Sequence, residues 1–300
     1  METSVELLSA LDKSWNQFTR TWKKSRTKAS EKSVHDLRVN TRRLMAALEL
    51  TAAVCAPGDV RQLQRRLKKL LKGMGTLRDV QVQLELVSEL KQIDVIAGFK
   101  RRLERRERTE IARIQGELKR GRKQRLQDAF EAVRFKFSRA QASMGDEKFH
   151  HSVERFLSSR HHEYLKAMQR FQRVQPFNED AFHEMRIALK KLRYAVEAAE
   201  PILGRPAREQ ARKMHTFQQL MGDSRDLEIL RTELESWANK KGKKIAVVPV
   251  LDRLQSHREG LLKRISESSD KLERVFETES AKPVVETTAI VEVPKTPLLN

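Results

Sequence analysis

Several features common in secreted, membrane and catalytic proteins are scarce in this chain of 300 residues. It contains one cysteine, Cys55, which excludes an internal disulfide framework. No apolar run approaches the roughly 20 residues needed to span a bilayer, and the amino terminus lacks the charged-then-apolar pattern of a signal peptide. These absences predict a cytoplasmic protein without a transmembrane helix.

Aromatic residues and catalytic motifs are also sparse. Aromatic residues make up 6% of the chain, and no recognised nucleic-acid reader motif is present, so base readout and single-strand stacking are disfavoured. The sequence has no Gly-x-x-x-x-Gly-Lys-Ser/Thr loop, His-Glu-x-x-His motif or nucleophile elbow. We therefore predict a protein that is not an enzyme and that needs neither a cofactor nor a bound metal.

Positive charge, in contrast, is abundant. The chain has 61 Lys and Arg residues against 41 Asp and Glu residues, a formal net charge of +20. Such an excess costs self-repulsion and usually indicates a polyanionic partner: nucleic acid, an anionic membrane surface or another phosphate polymer. The apolar residues, 39% of the chain, recur at helical spacing. Because strand signals are nearly absent, the sequence predicts an all-α fold.

One helical pattern occurs twice, with the copies 148 positions apart at residues 34–44 and 182–192. At about 100° per residue, its histidines and cations fall in a stripe roughly 100° wide beside an apolar face. The stripe holds His35, Arg38 and Arg42 in the first copy, and His183, Arg186, Lys190, Arg193 and Tyr194 in the second.

A second pair of segments keeps almost the same offset. Met-Gly-x-x-Arg-Asp occurs at 74–79 and again at 221–226, 147 positions later. Two matched signals at one spacing predict a duplicated chain. The helices before these segments carry further basic stripes, at Arg61, Arg65, Lys68 and Lys72 in the first copy and at Arg208, Arg212 and His215 in the second.

Periodicity and helix-stop signals predict the domain organisation. The first half is expected over 1–142, the second half over 143–282 and a flexible tail over 283–300. Helices are predicted near 3–27, 31–55, 59–73, 77–96, 98–119 and 122–140, then near 147–174, 179–203, 206–221, 224–241 and 246–279.

Some patterns are assigned structural roles. Asp79 and Asp226 are interpreted as helix-start carboxylates, and Thr76 with Asp79 as a start resembling a capping box. Glutamates interrupt the basic run 100–125, which predicts an exposed helix that pairs its own charges. The aromatic residues Trp15, Phe18 and Trp22 recur at helical spacing and are predicted to lie in the core.

The tandem His-x-x-Arg-x-x-x-(Arg/Lys)-(Arg/Lys) helices, each followed by Gly-x-x-Arg-Asp, resemble the CHAD family, the conserved histidine alpha-helical domain, over roughly residues 3–279. The resemblance implies two duplicated antiparallel helical bundles related by a pseudo-two-fold axis, with a basic surface between them that binds inorganic polyphosphate. Matched by position, the implied site contains His35, Arg38, Arg42 and Arg43, with His183, Arg186, Lys190, Lys191, Arg193 and Tyr194. Met45 and Ala46 stand where the second copy has Arg193 and Tyr194, so the halves are expected to contribute unequally.

Three functions stay open from the sequence. The first is a polyphosphate-binding protein that targets or organises polyphosphate granules, and the second is a non-specific nucleic-acid-binding protein. The third is a phosphohydrolase acting on polyphosphate or nucleotides, which would need an acidic metal cluster that the sequence does not display. The cations also have a structural alternative, because Arg38 and Arg186 could pair with Asp79 and Asp226.

Overall fold

A computed structural model describes residues 2–54, 58–90, 93–120, 123–174 and 177–280. Within these ranges the chain forms ten α-helices and no strand, which confirms the all-α fold. The helices are α1 (Glu2–Thr27), α2 (Glu31–Val54), α3 (Gly58–Gly73), α4 (Gly75–Glu89), α5 (Ile93–Lys119), α6 (Lys123–Ser143), α7 (Asp146–Arg173), α8 (Glu179–Leu203), α9 (Arg205–Lys240) and α10 (Lys244–Ser280). Cys55 and the predicted tail lie outside the described residues.

Local signals set the two ends of α8. Asn178 is its N-cap, and the side-chain Oδ1 accepts a hydrogen bond of 2.9 Å from the backbone N–H of Ala181. Gly204 ends the helix with φ at 70°, a left-handed conformation that favours glycine. The predicted bounds of 179–203 are therefore those observed.

The Met-Gly-x-x-Arg-Asp segments fold differently in their two positions. Met74 separates α3 from α4, but its counterpart Met221 lies inside the continuous helix α9. The predicted division at 221–224 is therefore wrong. Met221 and Leu227, on either side of Gly222, are both buried in core clusters, and their burial outweighs the low helix propensity of Gly222, about 1 kcal/mol.

The capping box predicted at Thr76 and the helix-start role predicted for Asp79 and Asp226 are both wrong. Helix α4 begins at Gly75 after Met74, which forms no side-chain cap, so Thr76 does not start a capping box. Asp226 lies in the interior of α9, far from either end, and is not a helix-start carboxylate. Asp79 lies beyond the first turn of α4. Both carboxylates therefore need an explanation other than the helix dipole.

The apolar residues form four clusters. One contains Trp15, Phe18 and Trp22 and draws only on helices before residue 142, which confirms the core role of these aromatics. A second draws only on α7, α8, α9 and α10. Two others cross between the predicted halves: one joins α4 and α5 to α9 and α10, and the other joins α1, α2 and α6 to α7 and α8. The division at residue 142 stays a prediction.

Helices α2 and α8 pack directly on one another. These are the helices that carry the repeated His/Arg pattern. Their buried faces include Leu37 and Leu44 on α2 and Met185 and Leu189 on α8. These apolar residues pack in separate clusters, Leu37 and Leu44 in one and Met185 and Leu189 in the other. The α2–α8 contact lies beside them, where the charges of the α2 arginines reach Lys190 of α8.

Candidate functional site

Four cations converge where α2 meets α8. Arg38 and Arg42 come from α2, and Arg186 and Lys190 from α8; we call this set the central cluster. Each side chain is only partly exposed. The charges of the three arginines act on Lys190, which places all four within short electrostatic range.

Lys190 is the most perturbed member of the central cluster. Burial, and next the charges of the three arginines of the cluster and of nearby Arg193, lower its pKa to about 7. Among the described residues, no carboxylate pairs with its ammonium group, and it makes no hydrogen bond. A buried ammonium among like charges is unfavourable on its own, so Lys190 would be stabilised by an anion at this position.

Arg38 is held in place by the end of a neighbouring helix. Its Nη1 donates a hydrogen bond of 3.1 Å to the carbonyl oxygen of Leu71, in the last turn of α3. Burial, and next the charge of Arg42, lower the pKa of Arg38 to about 10. The guanidinium therefore stays charged at neutral pH, with its orientation fixed by one of its donors and others left for a ligand.

Arg186 is partly buried and incompletely satisfied. Its Nε is inaccessible to solvent and has no hydrogen-bond partner among the described residues, while its Nη2 lies 3.5 Å from Nδ1 of His183. Burial lowers its pKa, and the charge of Asp226 opposes that shift. A buried donor without a partner costs about 1–3 kcal/mol, which an anionic acceptor would relieve.

The acidic residues beside the cluster do not neutralise it. Neither Arg38–Asp79 nor Arg186–Asp226 forms an ion pair in the described structure, so that structural alternative is wrong as a direct contact. Burial raises the pKa of Asp79, and it raises that of Asp226 to about 6. Burial therefore acts against the charged form of both carboxyls, and so against the counter-charge that each supplies.

Sequence reasoning missed two arginines of the site. Arg78 and Arg225 occupy the same position of the Met-Gly-x-x-Arg-Asp repeat, and their charges reach His35 and His183, respectively. Arg78 Nη1 donates to Glu31 Oε1 at 2.7 Å. Arg225 has no ion pair within the described part of the chain. The signal that identifies both arginines is the Arg of the repeat, which recurs in the two segments beside the Asp.

His35 and His183 are exposed at the edges of the cluster. Burial and nearby cations lower the pKa of each: Arg78 is the largest charge acting on His35, and Arg186 the largest acting on His183. Both imidazoles are therefore neutral at pH 7 and can donate one hydrogen bond to an anion.

The family model of the CHAD domain matches residues 9–235. The chain belongs to the CHAD family. Two solved structures share its fold. The CHAD domain from the plant Ricinus communis has a TM-score of 0.63 at 19% identity, with 94% of this chain and 92% of that chain covered. PptA from Streptomyces chartreusis has a TM-score of 0.61 at 13% identity, with 91% and 99% covered. No curated protein matches the sequence.

Several cations implied by the CHAD resemblance lie in a separate group around Glu197. Arg193 is buried, donates to Gln218 Oε1 at 2.8 Å and pairs with Glu197. Its guanidinium also lies 4.1 Å from the ring centroid of Tyr194. Arg43 reaches the same carboxylate at 3.1 Å. We call this group the Glu197 group; its contacts hold α2, α8 and α9 together.

The remaining implied residues lie outside the central cluster. His215 borders the Glu197 group, since the charges of Arg193, Glu197 and Arg43 act on it. Lys191 is exposed and lies 3.8 Å from Glu163 of α7. Arg208 pairs with Glu200 at 2.6 Å, and Arg212 is exposed.

The stripe of α3 faces solvent. Arg61, Arg65, Lys68 and Lys72 are all exposed, and none forms an ion pair with a described residue. Helix α3 contacts the central cluster through the carbonyl of Leu71. At 1.5 Å per residue, Arg61 lies about 15 Å from Leu71 along the helix. The α3 stripe therefore lies outside the central cluster and extends its basic surface along α3.

No helix within the described ranges is both long and apolar enough to cross a bilayer. Nor does any group of three or more His, Cys, Asp or Glu residues among those described have the arrangement of a metal site.

Proposed function

We propose that this CHAD-family protein binds inorganic polyphosphate at the central cluster, as a binding protein and not as an enzyme. The observation that carries the proposal is the position of Lys190, whose buried ammonium lies among arginines without a carboxylate partner. Association with polyphosphate granules inside the cell follows from the same proposal.

The chemistry of the cluster favours a phosphate chain. Arg38, Arg42 and Arg186 offer forked donors to phosphate oxygens, and Lys190 offers a compact charge. Tyr194, which is only 7% exposed, is covered by the guanidinium of Arg193 and cannot stack on a base. A ligand with regularly spaced charges and no bases satisfies these groups best.

Membership of the CHAD family, which is linked to polyphosphate binding, supports the proposal. Four phosphate contacts predict a logarithmic salt slope of about −3, at about 0.7 per contact for a flexible polyanion. Affinity should rise with chain length because successive contacts on one polymer raise their effective concentration.

Adjacent lysines provide a matched test. Lys190→Ala should weaken binding of long-chain polyphosphate by about tenfold or more, the effect of about 1.4 kcal/mol from a lost charged contact. Lys191→Ala removes the same charge from the other side of α8, where Glu163 lies 3.8 Å away, and should change affinity little. Calorimetric titration measures both, and thermal melting checks that each variant is folded.

Three results would overturn the proposal. They are equal losses in the two variants, equal affinity of the wild-type protein for orthophosphate and polyphosphate, and preference for charge-matched duplex DNA in direct competition. Metal-dependent release of phosphate from the polymer would instead indicate an enzyme.

A further inference from the structure

A basic concavity lies between α5 and the carboxyl end of α9. This cleft has a volume of about 470 Å³. Six cations line it, with no acidic residue among the lining side chains: Arg101, Arg102, Arg105, Lys240, Lys241 and Lys243. We call it the α5–α9 cleft.

The cations of the α5–α9 cleft differ from the other cations of α5. The sequence predicted that this helix pairs its own charges, and Arg113 does so with Glu110 and Glu117. Arg106 instead pairs with Glu233 of α9 at 3.0 Å. Among the described residues, no carboxylate pairs with any of the six cleft cations. Gathering six unpaired cations on a concave surface is repulsive, and an anionic ligand would offset that repulsion.

The base of the cleft is rigid. Trp237 is 5% exposed and packs on Phe99, with ring centroids 5.7 Å apart. Gly98 lets α5 approach closely, because a Cβ at this position would come within 3.0 Å of the Trp237 ring. The ammonium of Lys243 lies 5.9 Å from the centroid of the same ring. The concavity is thus formed by packed side chains before any ligand binds.

Helix α9 links the α5–α9 cleft to Asp226, the carboxylate whose charge acts on Arg186 of the central cluster. Asp226 and Trp237 are eleven residues apart on α9, about 16 Å at 1.5 Å per residue. The Arg106–Glu233 ion pair lies between them, one turn before Trp237, and the charges of both its members act on Asp79 beside the central cluster. The Arg106–Glu233 ion pair is therefore one turn from the cleft and within electrostatic range of a carboxylate beside the central cluster.

We propose that the α5–α9 cleft is a second binding site for the polyphosphate chain held at the central cluster, an inference that rests on the proposed function. A chain long enough to reach both sites binds them together, and the second contact becomes intramolecular. The nearly buried Trp237 leaves no aromatic face on which a base could stack, so the cleft selects phosphate charge rather than nucleobases.

The test compares two double variants with the same loss of charge. Arg101→Gln/Lys241→Gln removes one arginine and one lysine from the cleft. Lys148→Gln/Arg155→Gln removes one of each from α7, where both side chains are exposed and make no ion pair. Each protein is titrated calorimetrically with tripolyphosphate and with long-chain polyphosphate, and its melting temperature is measured.

In the wild type we expect tripolyphosphate to bind at two sites and long-chain polyphosphate to bind in one tight step. The cleft variant should lose the weaker tripolyphosphate site, keep the tighter one within twofold, and bind the long chain about tenfold more weakly. The α7 variant should match the wild type at each step. Equal losses in both variants, or unchanged long-chain affinity in the cleft variant, would overturn the inference.

The two proposals fail in different ways. If the central site does not bind phosphate, Lys190→Ala leaves whatever tripolyphosphate binding the wild type shows unchanged. If only the cleft proposal is wrong, Lys190→Ala still removes the tighter event, whereas Arg101→Gln/Lys241→Gln removes none.

Discussion

Binding of polyphosphate should take up a proton at Lys190, so affinity should fall as pH rises above 7. In the free protein, burial and the surrounding arginines lower the pKa of Lys190 to about 7. A bound phosphate adds negative charge beside the ammonium and returns its pKa toward the ordinary value of 10.5. The charged form is therefore favoured in the complex and disfavoured in the free protein.

The magnitude follows from one linked proton. Between the free and bound pKa values, the dissociation constant rises about tenfold per pH unit, equivalent to about 1.4 kcal/mol. From pH 7.0 to 8.5 the expected weakening is about 15-fold. At pH 7.5 about three-quarters of the free protein lacks this proton, so binding should take up about 0.7 proton per site. In the free protein the pKa values of His35 and His183 are lowered from 6.5, so in that state both imidazoles titrate below this range.

Lys190→Arg supplies the matched control, because arginine stays charged throughout this range. Calorimetry in buffers with different ionisation enthalpies measures the proton uptake, and titrations at several pH values give the slope. We expect a steep slope and proton uptake in the wild type, with neither in Lys190→Arg. The same slope in both proteins would refute the assignment of the proton to Lys190.

The sequence predicted most helices because their signals are local. Asn178 and Gly204 mark the two ends of α8, and apolar periodicity marks its buried face. The break predicted after Met221 failed because Gly222 lowers helix propensity by only a small amount, whereas the buried face of α9 continues past it. Whether a glycine ends a helix depends on tertiary packing that the local sequence does not contain.

The candidate site was predictable only in part. Periodicity placed Arg38, Arg42, Arg186 and Lys190 beside the apolar faces, and the packing of α2 on α8 then brought them together. The same angular argument included Arg193, which the structure places in the Glu197 group. Its ion pair with Glu197 is an i,i+4 contact within α8, whereas Gln218 of α9 and Arg43 of α2, which complete the group, come from other helices that the angle around α8 does not predict.

One contact makes the two copies of the repeat unequal. Glu31 of the first copy pairs with Arg78, whereas its counterpart Glu179 pairs with Arg258 of α10. Ile111 stands 147 positions before Arg258, so the first copy has no equivalent cation to draw Glu31 away. Arg225 consequently keeps its guanidinium unpaired. The inequality predicted from Met45 and Ala46 thus has a different physical source, because Arg193 is itself occupied by Glu197.

Three further outcomes follow from these contacts. Arg225→Gln should weaken polyphosphate binding more than Arg78→Gln in calorimetric titration, because Arg78 is already paired; a larger loss in Arg78→Gln would contradict this order. Arg193→Ala should lower the free energy of unfolding by about 3 kcal/mol in denaturant titration, since it leaves Glu197 without its buried partner. Arg205 is exposed, so Arg205→Ala should change the free energy of unfolding by less than about 0.5 kcal/mol. Asp226→Asn should stabilise the free protein above pH 6. Burial raises the pKa of Asp226 to about 6, so the native state holds this proton more tightly than the unfolded chain does. Ionisation of Asp226 therefore costs stability as pH rises from about 4 through 6. Denaturant titrations should show a gain of about 3 kcal/mol at pH 7.5 and less than about 1 kcal/mol at pH 4. An equal gain at both would mean that the carboxyl is not the titrating group.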